Sequence, residues 1–252
     1  MATSGSYMKV YSEFRSHDNY NEVFLATISK LSSELNLASV KSCLTIGPGD
    51  GERELQFIKQ CAANTSKLIA VEIDHKSAEG LRTRLSESLQ GVESQVIETN
   101  VESWKGPDYQ VDLVLMMLVL YYVRANERKE LFKKMYEQWL ASGGRVVVVS
   151  SCRTKCPGNI SEIYDRLGTP LLAWEDVEAE LLKVGFIRQY AHEMQCMRDF
   201  SNIDEYFLRF AQCLIDQPVT LDELRVRIKE LFPEGKTEQD VFYMFAVFQR
   251  AQ

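Results

Sequence analysis

Through the middle of the chain, short apolar runs alternate with amphipathic helical patterns, and this alternation narrows the fold more than any other feature. Strands buried on both faces read as near-continuous apolar runs, and helices between them cover the two faces of a parallel sheet. The spacing predicts strands at Ser42–Gly47, Lys67–Asp74, Ser94–Thr99, Val111–Met117 and Arg145–Ser151. Helices are predicted at Glu52–Ala62, Lys76–Ser88 and Asn126–Leu140, the last closed by Gly143 and Gly144. A helix at Trp174–Val184 ends at Gly185, with a sixth strand at Phe186–His192 and a seventh at Val241–Gln249. Val111–Met117 (VDLVLMM) is nearly all apolar, as a central strand should be.

Two regions lie outside the alternation. Residues 1–40 carry helical patterns, with Tyr7, Val10, Tyr11 and Phe14 on one face and an apolar repeat from Val23 to Leu37. Residues 194–240 carry two more, Ile203–Ile215 and Leu221–Phe232, punctuated by Pro218 and Pro233. The reading is one α/β domain over 1–252. A helical cap at 1–40 precedes a core at 41–193, a capping insertion at 194–240 and the last strand at 241–252.

A chain of 252 residues with 45% hydrophobic residues can bury a large core without disulfides or metals. A formal net charge of -7 opposes nucleic-acid backbones and anionic membrane surfaces, so neither is expected as a partner. No apolar run reaches the roughly 18 residues of a membrane span, and Met1–Val10 lack the apolar centre of a signal peptide. The expected compartment is therefore the cytoplasm. Cys43, Cys61, Cys152, Cys156, Cys196 and Cys213 are scattered and read as reduced core thiols. No histidine stands at ligand spacing from the Cys152/Cys156 pair, so no metal is expected. No heptad seam or apolar strip appears, and a monomer is the expectation.

The chemistry begins at the end of the first strand, in Gly47-Pro48-Gly49-Asp50-Gly51, followed at once by a helix. Glycine permits the tight turn and lets a ligand approach the backbone closely. Glu72 ends the second strand about 20 residues on, where a carboxylate can accept hydrogen bonds from two ribose hydroxyls. The third glycine comes one residue early for a dinucleotide fingerprint, and Asp50 and Glu52 put negative charge where a pyrophosphate would sit. That arrangement suits a ligand with a cationic sulfonium and an ammonium, such as S-adenosyl-L-methionine.

With these residues in view, the chain resembles class I S-adenosylmethionine-dependent methyltransferases, and within them the histamine N-methyltransferase family. The resemblance is carried by Ile46–Gly51, by Val71-Glu72 with Ser77-Ala78-Glu79, by Met117-Leu-Val-Leu-Tyr-Tyr-Val123 and by Val146–Ser151. The N-terminal segment with Tyr7, Phe14 and His17 also matches in layout, so most of the chain is covered. The glycine motif is common to many methyltransferases; the Leu-Tyr-Tyr-Val run is more particular. The resemblance implies a Rossmann-like seven-stranded sheet and S-adenosyl-L-methionine as cofactor. It places cofactor contacts at Gly47, Pro48, Gly49, Asp50, Gly51, Glu72, Ser77, Met117 and at Asn100 or Val101. Tyr121 and Tyr122 would face the acceptor, with Tyr11 and Phe14 covering it and Tyr164 at a position where the family has a tryptophan.

The family's polar clamp on a primary ammonium is replaced here. Tyr20 stands at its acidic position, with Glu22 close by; Leu118 stands at one amide position and Tyr243 or Met244 at the other. An aromatic lining points to a flatter, more apolar or already methylated amine, because ring faces attract cations. An aliphatic amine must lose a proton before it attacks, and His17, Glu22 and His192 are the candidate bases. Transfer to oxygen and a non-catalytic binding protein are the alternative readings. A metal-dependent catechol type would need acidic ligands after strand four, where the sequence is Met116-Met-Leu-Val-Leu-Tyr-Tyr122.

Overall fold

A computed structural model describes residues 4–153, 162, 164–165, 168, 170–201, 206–213, 220–231 and 238–251. The strands are β1 (Ser42–Ile46), β2 (Lys67–Glu72), β3 (Glu93–Glu98), β4 (Val111–Met117), β5 (Leu140–Ser151), β6 (Ile187–Asp199) and β7 (Glu238–Gln249). The α-helices are α1 (Ser4–Ser16), α2 (Tyr20–Leu31), α3 (Glu52–Cys61), α4 (His75–Ser88), α5 (Ala125–Lys134), α6 (Trp174–Val184), α7 (Phe207–Cys213) and α8 (Leu221–Leu231).

The seven strands form one sheet in the order β3-β2-β1-β4-β5-β7-β6. β1 pairs in parallel with β2 and β4, and β4 with β5; only β7 runs antiparallel to its neighbours. The order reverses between β1 and β4, the kind of switch point where open α/β sheets bind ligands beyond the carboxyl ends of their strands. Alternate residues of β1, β4 and β5 fill opposite faces. Leu113, Leu115, Val147 and Val149 pack with α2, α3 and α4, whereas Val114, Met116, Val146 and Val148 pack with α5 and α6. Burial on both faces explains the unbroken apolar runs.

Four expectations are corrected. The helix predicted to reach Leu140 stops being α-helical at Lys134 and closes through a π-helical turn, Met135–Trp139. Gly143 and Gly144 therefore lie inside β5, at the register shift between Val111 and Leu113, and close no helix. The last two strands are longer than predicted: β6 runs on to Asp199 and β7 starts at Glu238. In that extension Met194, Cys196 and Arg198 turn inward while their neighbours face out, a period-two pattern interrupted by one charge. The N-terminal cap is two helices broken at His17–Asn19, and Leu35 and Leu37 are buried in the loop after α2, not on a helix.

A third cluster forms the cap core: Phe14 from α1, Tyr164, and Tyr206, Phe207 and Phe210 around α7. Cys43, Cys61, Cys152 and Cys196 are buried, and burial raises each thiol, Cys61 to about 11. Cys156 and the side chain of Cys213 lie outside the described residues. Among the described residues no metal-binding group occurs, and no helix is long and apolar enough to cross a membrane.

Candidate active site

The loop after β1 is fixed by its backbone. The Gly47 N–H donates to the Val71 carbonyl at 2.8 Å, tying the loop to the end of β2. Gly47, Gly49 and Gly51 have φ of 57°, 61° and 77°, the left-handed region that side chains disfavour. A β-carbon at Gly47 would stand 2.3 Å from Val119 Cγ2, so the loop lies directly against the turn that follows β4. Pro48 is buried, and its carbonyl accepts from the Gly51 N–H at 3.0 Å.

Glu72 holds this loop from below. Its Oε2 accepts the Gly49 N–H at 2.8 Å and its Oε1 the Asp74 N–H at 2.9 Å. Burial pushes its pKa up, while these backbone donors pull against that rise. A carboxylate oxygen has a second lone pair, so Glu72 can still accept from a ribose. Ile73, the next residue, is 67% exposed. It is an apolar surface that a planar ring can cover, and the sequence reading passed over it because an isoleucine ending an apolar strand looks like core.

Two sequence inferences change in detail. Arg84 Nη2 donates to Asp50 Oδ2 at 2.6 Å, which offsets one of the two charges that argued against a pyrophosphate, while Glu52 stays exposed. Ser77 is spent on the cap of α4: its N–H and hydroxyl donate to Asp74 Oδ2 at 2.9 and 2.8 Å. Asn100 is exposed, and its Oδ1 accepts the Glu102 N–H at 2.8 Å. With the buried Val101 it lines a cleft of about 570 Å³ that α5 completes through Asn126, Glu130 and Lys134. Met117 is buried at the end of β4.

Across the loop, Leu118 is buried at φ 57°, its N–H bonded to the Val149 carbonyl at 2.9 Å. A leucine held there stores strain and redirects the chain into a single 3-10 turn, Leu120–Tyr122. The Tyr121 and Tyr122 rings stand 4.4 Å apart. Tyr122 is 37% exposed. Burial pushes the Tyr121 phenol well above its ordinary range, so it is a neutral hydroxyl at pH 7.

On the cap side, the side chains facing Tyr121 are arranged around arginines that the sequence reading did not single out. Arg15 Nη1 donates to Asp18 Oδ2 and to the Tyr243 hydroxyl, both at 3.0 Å. Arg198 Nη2 donates to the same two acceptors at 2.6 and 2.8 Å. The Arg15 guanidinium lies over the rings of Tyr11, Phe14, Tyr20 and Tyr243, 4.6 Å from the Tyr20 centroid. Arg53, on the first turn of α3, lies over Tyr11 and Tyr20 at 5.6 and 5.3 Å. The structure thus gathers Tyr11, Tyr20 and Tyr243 near Tyr121, but their faces already meet the protein's own cations. Burial raises the Tyr11 phenol, yet Arg15 and Arg53 outweigh it and hold the group below its ordinary value. Asp18 is likewise raised by burial and brought below its ordinary value by Arg15 and Arg198. Arg15 was recoverable from sequence, since it falls four residues after Tyr11 on the same helical face.

Phe14 joins this arginine cluster to the cap core, and the remaining predicted site residues lie elsewhere. Phe14 stacks on Phe210 at 3.9 Å, and the Tyr164 hydroxyl donates to the Ala211 carbonyl in the same cap core. His17 lies flat on Tyr206 at 3.8 Å. Glu22 is exposed on α2, whose buried face carries Tyr20 and Phe24. Met244 and His192 are half-buried on β7 and β6, where Met244 pairs with Glu193 and His192 with Phe245.

Residues 43–144 match a family model described as a methyltransferase domain. No curated protein matches the sequence. Among solved structures, the N-methyltransferase NodS from Bradyrhizobium japonicum WM9, in complex with S-adenosyl-L-homocysteine, is 16% identical, with a TM-score of 0.58 over 98% of this chain and 99% of that one. The YcgJ protein from Bacillus subtilis is 12% identical, with a TM-score of 0.64 over 90% of this chain and 99% of that one. Geranyl diphosphate C-methyltransferase from Streptomyces coelicolor A3(2) is 14% identical, with a TM-score of 0.56 over 90% of this chain and 80% of that one. The family match over residues 43–144 supports S-adenosylmethionine as the cofactor. The match over residues 43–144 is to a methyltransferase domain, and the chain has the Rossmann-like fold of the class I methyltransferases.

Proposed function

We propose that the chain is an S-adenosylmethionine-dependent N-methyltransferase acting on a small amine. The observation that carries this reading is the contact of Gly47 with Val119, which puts the glycine loop against the turn bearing Tyr121. Cofactor and acceptor would then share one pocket. Glu72 would hold the ribose, the Gly47–Gly51 backbone the amino-acid portion, and Ile73 with Val101 the base. When bound, the cofactor supplies a methyl carbon on a cationic sulfur. The chain's task is to present a nitrogen lone pair in line, and positioning provides most of the acceleration. Tyr121, held as a phenol, fits a hydrogen-bonding role toward the acceptor nitrogen and not that of a base. Arg15 and Arg53 favour a neutral amine over an ammonium, since a like charge disfavours the charged form. No side-chain base is assigned: His17 is stacked in the cap core and Glu22 faces solvent.

Methyl transfer from labelled S-adenosylmethionine to a panel of small amines tests the reaction class. Tyr121→Phe should lower kcat by roughly ten- to a hundredfold, while affinity for S-adenosylhomocysteine stays within about twofold. Equal loss of both would make Tyr121 structural. Transfer to a hydroxyl acceptor with none to nitrogen would overturn the reading.

A further inference from the structure

We propose that the acceptor carries a carboxylate, which Arg53 and Arg15 bind, so that the substrate is an amine with an acid group and not a free cationic amine. This rests on the N-methyltransferase reading and adds the substrate class to it. Arg15, Arg198 and Arg53 converge on the tyrosines of the pocket, while one carboxylate, Asp18, is shared by Arg15 and Arg198. Arg53 donates from Nε to Asn21 Oδ1 at 3.3 Å, and among the described residues its two terminal nitrogens meet no acceptor.

The nearby acids do not balance this excess. Asp50 is paired with Arg84, and both oxygens of Glu72 accept backbone N–H groups. Glu54 is buried, and that burial pushes it up to about 8, so it is mostly neutral at pH 7. Glu22 and Glu52 are exposed. The Tyr20 hydroxyl, fully buried beneath the two guanidiniums, has no hydrogen-bond partner either.

Arg15 and Arg198 share Asp18, whereas the half-buried Arg53 has no carboxylate; a guanidinium in that position is costly, and a carboxylate satisfies it with paired hydrogen bonds. A free ammonium meets the opposite field. The Tyr11 and Tyr20 rings that would attract it already meet Arg15 and Arg53. Arg53 stands near enough to Tyr121 to act on its phenol, so an acid held there leaves the amine of the same molecule within reach of Tyr121.

The test uses the full chain and three pairs that differ by one carboxylate: histidine and histamine, phenylalanine and phenylethylamine, tryptophan and tryptamine. Transfer of labelled methyl is measured with S-adenosylmethionine, and binding is measured by calorimetry with S-adenosylhomocysteine present. At least one amino acid should exceed its decarboxylated partner by roughly ten- to a hundredfold in kcat/KM and in affinity. Arg53→Gln should erase that preference and Arg53→Lys retain part of it, with affinity for S-adenosylhomocysteine unchanged within about twofold. A preference for the decarboxylated partners would overturn the proposal and leave the amine reading standing. An Arg53→Gln variant that loses S-adenosylhomocysteine as severely as amino acid would overturn it too, because the guanidinium would then serve the cofactor's own carboxylate. No binding and no transfer for all six would overturn both.

Discussion

A β-carbon at Gly47 would stand 2.3 Å from Val119 Cγ2, in a backbone already at φ 57°. Gly47→Ala should therefore cost about 2–4 kcal/mol and weaken S-adenosylhomocysteine binding, read by urea denaturation and calorimetry. Glu54 gives a pH signature. Its folded pKa of about 8 lies above the ordinary 4.5, so the folded state keeps a proton that the unfolded chain releases. Its contribution is complete below about pH 4.5 and falls as pH rises toward 8. Glu54→Gln should flatten that slope and gain most over the parent near pH 8–9; parallel stability curves would sink the assignment. At this scale the glycines and Glu72 were legible because backbone geometry ties them to fixed spacings. Asp18 and Arg198 were not, since they meet across 180 residues of sequence and no local pattern joins them.

The helix α1 docks through Phe14 in the cap core and through an ion cluster at its end. Asp18 receives both Arg15 and Arg198, and a bridge between Asp18 and Arg198 extends the pairing to the backbone. Removing the shared carboxylate leaves two buried cations facing each other. Asp18→Asn should cost about 3–5 kcal/mol, with amide exchange rising in residues 9–17 before the central strands change. The same link is sensitive to acid. The folded pKa of Asp18 is depressed, so its contribution is present above the unfolded value near 3.8 and is lost as pH falls through the lower folded value. The strands and the helices α2 to α6 were readable from periodicity. The π-helical ending after α5 was not, because its glycines looked like a helix stop while serving a bulged strand. The length of β6 was hidden by Arg198, a charge in the inward register.

Across the whole molecule, the Gly47–Gly51 loop, Glu72 and the tyrosine turn lie at the carboxyl ends of β1, β2 and β4, while the arginines arrive from α1, α3 and β6. Product binding should register on both parts. S-adenosylhomocysteine at a hundred times its Kd should add about 2.7 kcal/mol of stability, with exchange slowing in residues 47–51 and 118–122. Slowing confined to the cleft beside α5 would relocate the ligand. The sheet order has one more consequence, in the timing of synthesis. β7 lies between β5 and β6 yet follows both in the chain. Until it is made, each of those two strands waits with an unsatisfied edge. The nascent chain must shelter two open edges until a single late segment slots between them and closes both at once.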